Sequence, residues 1–384
     1  MKFIHTADVH LDRCFSGSGM PVGFGNRRRQ SLRDVFHDIV RRAGDWPADA
    51  LIIAGDLYDA DRVSRDTIAF LLSEFKSIPH VPVFIAPGNH DPVTPDSPYA
   101  LEAWPANVTI FGKPEWESVE LESGLAAVHG FGFDGLQISR NPFGELLIDP
   151  AQKDRIHIAV GHGSELGHQP PDKAEYAPFR AADAAVPGLN YLALGHFHSI
   201  TEVSGDFAAT VYYSGSPEGL SFRETGPRYY LEVEIQDGGV DVTPVRSSRI
   251  VYADESIECD RFESSQEVIE AIRTIAHDLE GRAIARIALT GTCDPVIQNE
   301  IGLIYDSASI DFEYLRLTDA TAPSEDYDEL AREDTSLGNF ADALNMEIAS
   351  TDNAEKRRML ERARELGVAA FRQRAMEIRG LERG

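Results

Sequence analysis

At 384 residues with 42% hydrophobic content, the chain is long enough to bury a sizeable core, as one large domain with one or two small ones beside it. A formal net charge of −27 excludes a protein that grips nucleic acid through overall positive charge. No stretch approaches the roughly 18 apolar residues of a membrane helix, and the first residues run straight into a strand-like segment, so no export signal and a cytoplasmic location are expected.

The basic residues are 30 Arg against 6 Lys, and Arg suits fixed bidentate phosphate contacts, so a local basic site can survive inside an acidic surface. Solubility or adaptation to salt accounts for the charge equally well. Cys14, Cys259 and Cys293 are scattered and lack finger spacing, which predicts free thiols in a reducing cytosol, no disulfide and no zinc finger.

Lys2 to Ala7, Leu51 to Ala54, Val81 to Ala86, Leu125 to His129, Ile156 to Val160 and Tyr191 to Leu194 read as strands, each ending in Gly or a polar cluster. Between them Leu32, Val35, Phe36, Ile39 and Val40, then Ile68, Leu71, Leu72 and Phe75 behind a Ser64 cap, have helical spacing. This is α/β patterning. Ala209 to Tyr213, Arg228 to Ile235 and Val240 to Val245, with a turn at Asp237-Gly238-Gly239, read as antiparallel strands of a second β layer. From about Ile250 to Thr318 the order is strand, helix, strand, helix, strand, with Val268, Ile269, Ile272, Ile275 and Leu279 marking the first helix. Asp319 to Ser336 is acidic and aperiodic and reads as a linker. Helices follow at about Leu337 to Ser350 and Ala354 to Arg379. The second fits a capping box from Asp352 and Glu355 and carries a stripe of Leu360, Ala363, Leu366 and Ala370. The expected domains are 1–248, 249–318, a linker at 319–336 and a helical tail at 337–384.

Metal-type side chains gather just past strand ends, where α/β sheets place ligand sites. They are Asp8-Val9-His10, Gly55-Asp56, Gly88-Asn89-His90-Asp91, Gly161-His162 and Gly195-His196-Phe197-His198. Glycines let the chain turn sharply while the adjacent side chains point into one crevice. Any one of these segments alone is more often a turn or a core histidine; five in order at strand ends point to convergence. Carboxylates, imidazoles and a carboxamide suit Mn²⁺, Fe²⁺ or Zn²⁺, and Asp56 is the natural bridge between two ions. His5, His37, His80, His129, His157, His168 and His277 lack this context and read as structural, His129 being the one to watch.

Together these segments resemble the calcineurin-like metallophosphoesterase superfamily. The opening Phe3 to Asp12, Gly55 to Asp59, Tyr213-Ser214-Gly215-Ser216-Pro217 and Glu224-Thr225-Gly226-Pro227 resemble its bacterial DNA-repair exonuclease branch, that of the SbcD nuclease subunit and YhaO-type exonucleases. The likeness covers roughly the first 235 residues. It implies a four-layer α-β-β-α sandwich, a small α+β capping domain and a helical C-terminal tail. It places Asp8, His10, Asp56 and His198 on one metal, and Asp56, Asn89, His162 and His196 on the other. His90 becomes the unliganded histidine beside the leaving oxygen, with Asp91 as its partner. Asp59 stands where some relatives have histidine. Also implied are Mn²⁺, hydrolysis by water activated between two cations, DNA as substrate, a homodimer, and a coiled-coil ATPase partner resembling chromosome-maintenance proteins; the apolar stripe of the C-terminal helices either docks on that ATPase or packs on this chain's own domains. Such a partner would supply DNA-binding surface that an acidic chain lacks. Arg27-Arg28-Arg29 is a candidate phosphate contact. A small-molecule phosphodiesterase or phosphatase is the alternative, and the Tyr213 to Pro217 segment and the extra domain favour the larger substrate.

Overall fold

The computed structural model describes residues 1–15, 23–121, 123–152, 154–169, 174–236, 239–279, 282–323 and 326–371. In chain order the first part holds β1 (Lys2–Thr6), α1 (Phe24–Asp45), β2 (Ala50–Ile53), α2 (Arg65–Ser77), β3 (Val83–Ile85), α3 (Pro98–Leu101), β4 (Val108–Ile110), β5 (Glu117–Glu120), β6 (Ala126–Gly130), β7 (Ile156–His162), β8 (Tyr191–Gly195), β9 (Thr201–Glu202), β10 (Thr210–Tyr213), β11 (Tyr229–Gln236) and β12 (Gly239–Arg246). They form two six-stranded sheets, ordered β12-β11-β1-β2-β3-β4 and β5-β6-β7-β8-β10-β9.

Strand alternation explains the layers. Ile4, Leu51, Ile53, Val83 and Ile85 face α1 and α2, where Leu32, Val35, Phe36, Ile39, Ile68, Leu71 and Phe75 meet them. Phe3, Ile52 and Phe84 face the other way, against Val128, Ile158, Val160 and Tyr191 of the second sheet. The Ser64 side chain caps α2 by accepting from the Thr67 amide at 3.2 Å, as its sequence position predicts. The second β layer differs from expectation. It is built mainly from strands between 117 and 213, while β11 and β12 return to the first sheet beside β1.

Outside the second sheet, Phe131, Phe133, Phe143 and Phe179 cover Ala159, Leu192 and Leu194. Among the described residues this fourth layer of the α/β sandwich consists of loops and 3-10 turns at Phe143–Glu145, Pro150–Gln152 and Ala181–Ala184 rather than α-helices. Pro142, Pro150, Pro178 and Pro187 interrupt any helical run there.

The chain divides into two compact units, Met1–Tyr252 and a second from Ala253 onward. The second follows β13 (Ile250–Glu258) with α4 (Ser265–Asp278), β14 (Arg282–Thr290), β15 (Thr292–Cys293), α5 (Pro295–Asn299), α6 (Ile301–Ala308), β16 (Tyr314–Asp319), β17 (Ala322–Pro323), α7 (Tyr327–Leu330), α8 (Ser336–Ser350) and α9 (Ala354–Phe371). Cys259 and Cys293 are free thiols buried in one core cluster, so their distance along the chain hides a spatial pairing. The segment read as a linker contains secondary structure: β17 pairs with β15, and Asp326 caps α7. Asn353, not Asp352, caps α9, accepting from the Glu355 and Lys356 amides. Helix α9 buries Leu360, Val368 and Ala369, while Ala363 and Ala370 are exposed, so the packed stripe is rotated from the expected one. The expected continuation to Arg379, and residues 237–238 of the predicted turn, lie outside the described residues.

Candidate metal centre

Five parallel strands deliver the expected ligands to one end of the two sheets. Asp8 and His10 follow β1, Asp56 follows β2, Asn89 and His90 follow β3, His162 closes β7, and His196 and His198 follow β8. Asp8, His10, Asp56 and His196 have φ values of 53°, 50°, 53° and 110°, a region that costs a non-glycine residue on the order of 1–3 kcal/mol. Four of the seven expected ligands are therefore held against their backbone preference. Hydrogen bonds hold them there: the Asp8 amide donates to the Gly55 carbonyl and the His10 amide to the Asp56 carbonyl, both at 3.0 Å. The His196 amide donates to both Asp8 oxygens at 3.1 Å, joining the sheets at the site. Gly195 makes that approach feasible, because a Cβ there would lie 1.8 Å from the Ala54 carbonyl oxygen.

Three overlapping sets, Asp8/His10/His198, Asp8/Asp56/His162 and His10/Asp56/His90, each bring one ligand atom per residue within 4.8 Å of the others. Asn89 Oδ1 lies 3.1 Å from His162 Nε2, and the His196 ring centroid is 5.3 Å from that of His162. All seven expected ligands thus come together. The tautomers are fixed by what lies behind the rings. Nδ1–H of His10 donates to Asp59 at 2.7 Å, that of His162 to the Ala54 carbonyl at 2.9 Å, and that of His198 to Glu224 at 2.9 Å. Each acceptor lacks a proton to give, so each Nε2 presents a lone pair to the crevice. His10 Nε2 is buried with no hydrogen-bond partner, which is costly unless a cation occupies the crevice. The donor set fits divalent ions of the Mn²⁺, Fe²⁺ and Zn²⁺ class.

Burial raises the pKa of Asp8 against the pull of His198 and His162. Burial also pushes Asp56 upward, but His162, His10 and His90 outweigh it and leave the carboxyl at about 2. His198 has burial working against its charged form, yet the bond to Glu224 and the Asp8 charge raise its pKa. His90, whose ring is the most exposed of the cluster, is raised to about 9, first by its hydrogen bond to Asp59 and against desolvation.

That bond corrects the sequence reading. Asp91 is not the partner of His90. Its oxygens accept from the amides of Asp56, Gly88 and Leu57 and from the Tyr99 hydroxyl, at 2.6–3.0 Å. It ties the loops after β2 and β3 together, and burial beside the Asp56 charge lifts its pKa to about 6. Asp59 takes the expected role, with Oδ1 3.5 Å from His90 Nδ1. Adjacency in sequence favoured Asp91; the loop after β2 brings Asp59 across.

Other expectations resolve by burial. Arg28 of the basic run is fully buried, paired with Glu218 at 2.7 Å, so it cannot meet a phosphate. His129 joins a chain from Ser118 through His157 to the Gln152 carbonyl, and none of its members belongs to a metal set. Tyr213, Ser214 and Ser216 are buried. The Tyr213 hydroxyl donates to the Gly163 carbonyl at 2.7 Å, and the Ser216 amide to the His198 carbonyl at 3.1 Å, so this segment holds ligand loops in place. The role of Glu224 carried no signal in the sequence beyond its place in a family-like segment.

A centre of this composition, at the strand ends of an α/β sandwich, defines a metal-dependent phosphoester hydrolase. The family model for calcineurin-like phosphoesterase matches residues 1–199. The chain belongs to that family. It is 26% identical over 301 residues to the uncharacterized metallophosphoesterase YhaO of Bacillus subtilis (strain 168), covering 76% of this chain and 72% of that protein. Among solved structures it resembles TT1561 of Thermus thermophilus, at 14% identity with a TM-score of 0.38 over 63% of this chain and 98% of that one. It also resembles a dimetal phosphatase from Danio rerio, at 10% identity with a TM-score of 0.41 over 64% and 96%. No helix among the described residues is long and apolar enough to cross a membrane.

Proposed function

We propose that this chain is a two-metal phosphodiesterase acting on DNA, as an exonuclease or endonuclease in repair, and that it is the nuclease subunit of a complex with a coiled-coil ATPase. The observation that carries the chemistry is the convergence of Asp8, His10, Asp56, Asn89, His162, His196 and His198 around one crevice into which the buried, unpartnered Nε2 of His10 points. When bound, two divalent ions, here Mn²⁺, lower the pKa of water and neutralise charge on the phosphoryl group. Asp56 reaches both sides of the centre, with Oδ2 3.6 Å from His10 Nε2 and 3.4 Å from His162 Nε2. His90, oriented by Asp59 and open to solvent, meets the leaving oxygen and holds or delivers its proton. DNA as substrate is supported by the branch-like segments of the sequence and by a folded second unit that a compact small-substrate enzyme would not need. The net charge of −27 supports a partner that provides the DNA-binding surface.

The test is Mn²⁺-dependent cleavage of end-labelled single- and double-stranded DNA beside p-nitrophenyl phosphate esters, with wild type and His90→Ala. Nucleotide release that falls about 10²- to 10⁴-fold in the variant, with metal content retained, supports the nuclease. Ester hydrolysis without DNA cleavage, even with the ATPase added, moves the function to a small-molecule phosphodiesterase. Co-purification of the ATPase with a chain ending near Thr318 would defeat docking through the C-terminal helices.

A further inference from the structure

The loops after β1, β2 and β3 are laced together by main-chain hydrogen bonds. The Arg13 amide donates to the His10 carbonyl at 3.1 Å, the Asp59 amide to the Leu11 carbonyl at 3.1 Å and the Ala60 amide to the His90 carbonyl at 2.9 Å. Residues 11–13 and His90 therefore flank the same short segment, 59–60. Side chains of the first of these turns part ways. Leu11 is buried. Asp12 turns to α2, where Oδ2 accepts from the Ser64 amide at 2.7 Å and from the Thr67 hydroxyl at 2.6 Å, and its other oxygen lies 3.6 Å from Arg33. Arg13 is half-buried, and no carboxylate among the described residues pairs with its guanidinium. Its charge reaches His90, whose protonation it opposes.

An arginine without an acid partner stands out in a chain of 63 acidic and 36 basic residues. The carboxylates beside it are already engaged. Asp59 is taken by His10 and His90, and Asp56 accepts from the His90 amide at 2.8 Å. A partly desolvated guanidinium carries the cost of its burial until an anion meets it. The balance of charge points the same way. Asp8, Asp56, Asp59, Asp91 and Glu224 outnumber the charges of two divalent ions, so even the loaded centre offers a polyanion little net attraction. Arg228 is buried and spent on the His198 carbonyl. Attraction falls to cations at the edge, where Arg13 stands beside the histidine assigned to the leaving oxygen. Its planar fork matches two oxygens of one phosphate.

We propose that Arg13 is a specificity-determining residue that binds a second phosphate of the substrate, the one next along the chain on the leaving-group side of the bond being cut. The inference rests on the two-metal reading above and deepens it. The favoured substrate is then a phosphodiester with a neighbouring phosphate, not an isolated ester.

The experiment measures competition against Mn²⁺-dependent hydrolysis of bis(p-nitrophenyl) phosphate by the full chain. The competitors are the dinucleotide dTpdT and the same dinucleotide with a phosphate added at its 5′ or its 3′ end. Calorimetric titration of all three into the Mn²⁺-loaded His90→Ala protein, with and without Arg13→Ala, reads binding apart from turnover, and metal analysis reads bound Mn²⁺. In wild type one phosphorylated dinucleotide should compete about 10- to 100-fold better than dTpdT, the worth of a charge-assisted hydrogen-bonded pair. Arg13→Ala should erase that advantage, leave dTpdT within twofold and keep bound Mn²⁺ unchanged. Arg13→Lys should keep part of it, because an ammonium retains the charge without the fork, and it carries the test if the Ala variant fails to fold. An advantage that survives Arg13→Ala overturns the inference, as does a wild type that shows none. Equal weakening of all three competitors, or loss of bound Mn²⁺, would put Arg13 on the phosphate being cut or behind the ligands, and overturns it too. A wild type that hydrolyses no ester overturns the two-metal reading instead, and the calorimetry still decides the role of Arg13.

Discussion

Asp59 Oδ1 accepts a 2.7 Å hydrogen bond from His10 Nδ1, and the same oxygen stands 3.5 Å from His90 Nδ1. One carboxylate therefore orients a metal ligand and the histidine assigned to the leaving group. The rings of His10 and His90 stack edge to face across it, 4.8 Å between centroids. Asp59→Ala should both weaken Mn²⁺ binding, by about 10- to 100-fold, and lower turnover at saturating metal. His90→Ala should lower turnover alone. Metal-binding isotherms paired with turnover numbers check this; an Asp59→Ala enzyme with normal metal affinity would dissolve the link.

Gly195 ends β8 against the Ala54 carbonyl, the oxygen that also accepts from His162 Nδ1. A methyl group there meets backbone, which cannot swing aside. Gly195→Ala should cost about 1–3 kcal/mol or more and spread the sheets at the site, so metal affinity falls with stability. Denaturant melts with and without Mn²⁺ read both effects. Equal loss in the two conditions would place the damage away from the centre.

Buried histidines set an acid limit. His5 accepts at Nδ1 from the Tyr191 hydroxyl and donates from Nε2 to the Leu194 carbonyl, a neutral pattern, and burial lowers its pKa from 6.5 to about 3. Burial, then the neighbouring His157, lowers His129 to about 4. Both folded values lie below the unfolded ones, so the unfolded chain takes up protons first. Stability from these groups is full above about pH 6.5 and drains away as pH falls toward 4 and then 3, at roughly 1 kcal/mol per pH unit for each. Urea midpoints at pH 7 and pH 5 should separate for wild type and draw together in His5→Gln and His129→Gln. An identical separation in all three proteins would place the acid sensitivity elsewhere.

Metal removal should soften the fold as well as stop the chemistry. Each ion that binds only the folded state at a hundred times its dissociation constant stabilises it by about 2.7 kcal/mol, which for a unit the size of Met1–Tyr252 amounts to roughly 5–10 °C in Tm per ion. Chelation should lower the melting temperature of that unit by at least that amount, and Mn²⁺ should restore it. Asp56→Asn should show neither the loss nor the recovery in full, since Asp56 reaches both sides of the centre.

The ligands were legible in the sequence because a parallel strand delivers the residues just past its end to a predictable edge, and glycines mark the turns. The supporting residues were not, because support comes from elsewhere in space. Asp91 sits beside His90 in the chain yet turns to backbone amides, while Asp59 and Glu224 arrive on other loops. Helices read well where one face is buried, as in α1 and α2, and less well in α9, which buries Leu360, Val368 and Ala369 rather than the whole of the expected stripe. Cys259 and Cys293 show the same limit: pairing in space leaves no mark on spacing. The late strands misled because alternation says that a strand has a buried face, not which sheet receives it.

Strand β1 lies between β2 and β11, and the His196 amide closes onto Asp8 across a sequence separation of 188. During synthesis β1 is made early but waits for one neighbour until residue 229 onward has left the ribosome. Until then it keeps an open edge, and the metal crevice gains its second wall only when β7 and β8 close onto the first sheet. Long-range closure of this kind slows folding, and it means that a metal ion captured by the nascent chain at Asp8 and His10 would meet an incomplete site. The centre is assembled only once the second sheet has closed onto the first, so the apparent rate of metal uptake in refolding should follow the rate at which β7 and β8 bring His162, His196 and His198 against β1 and β2.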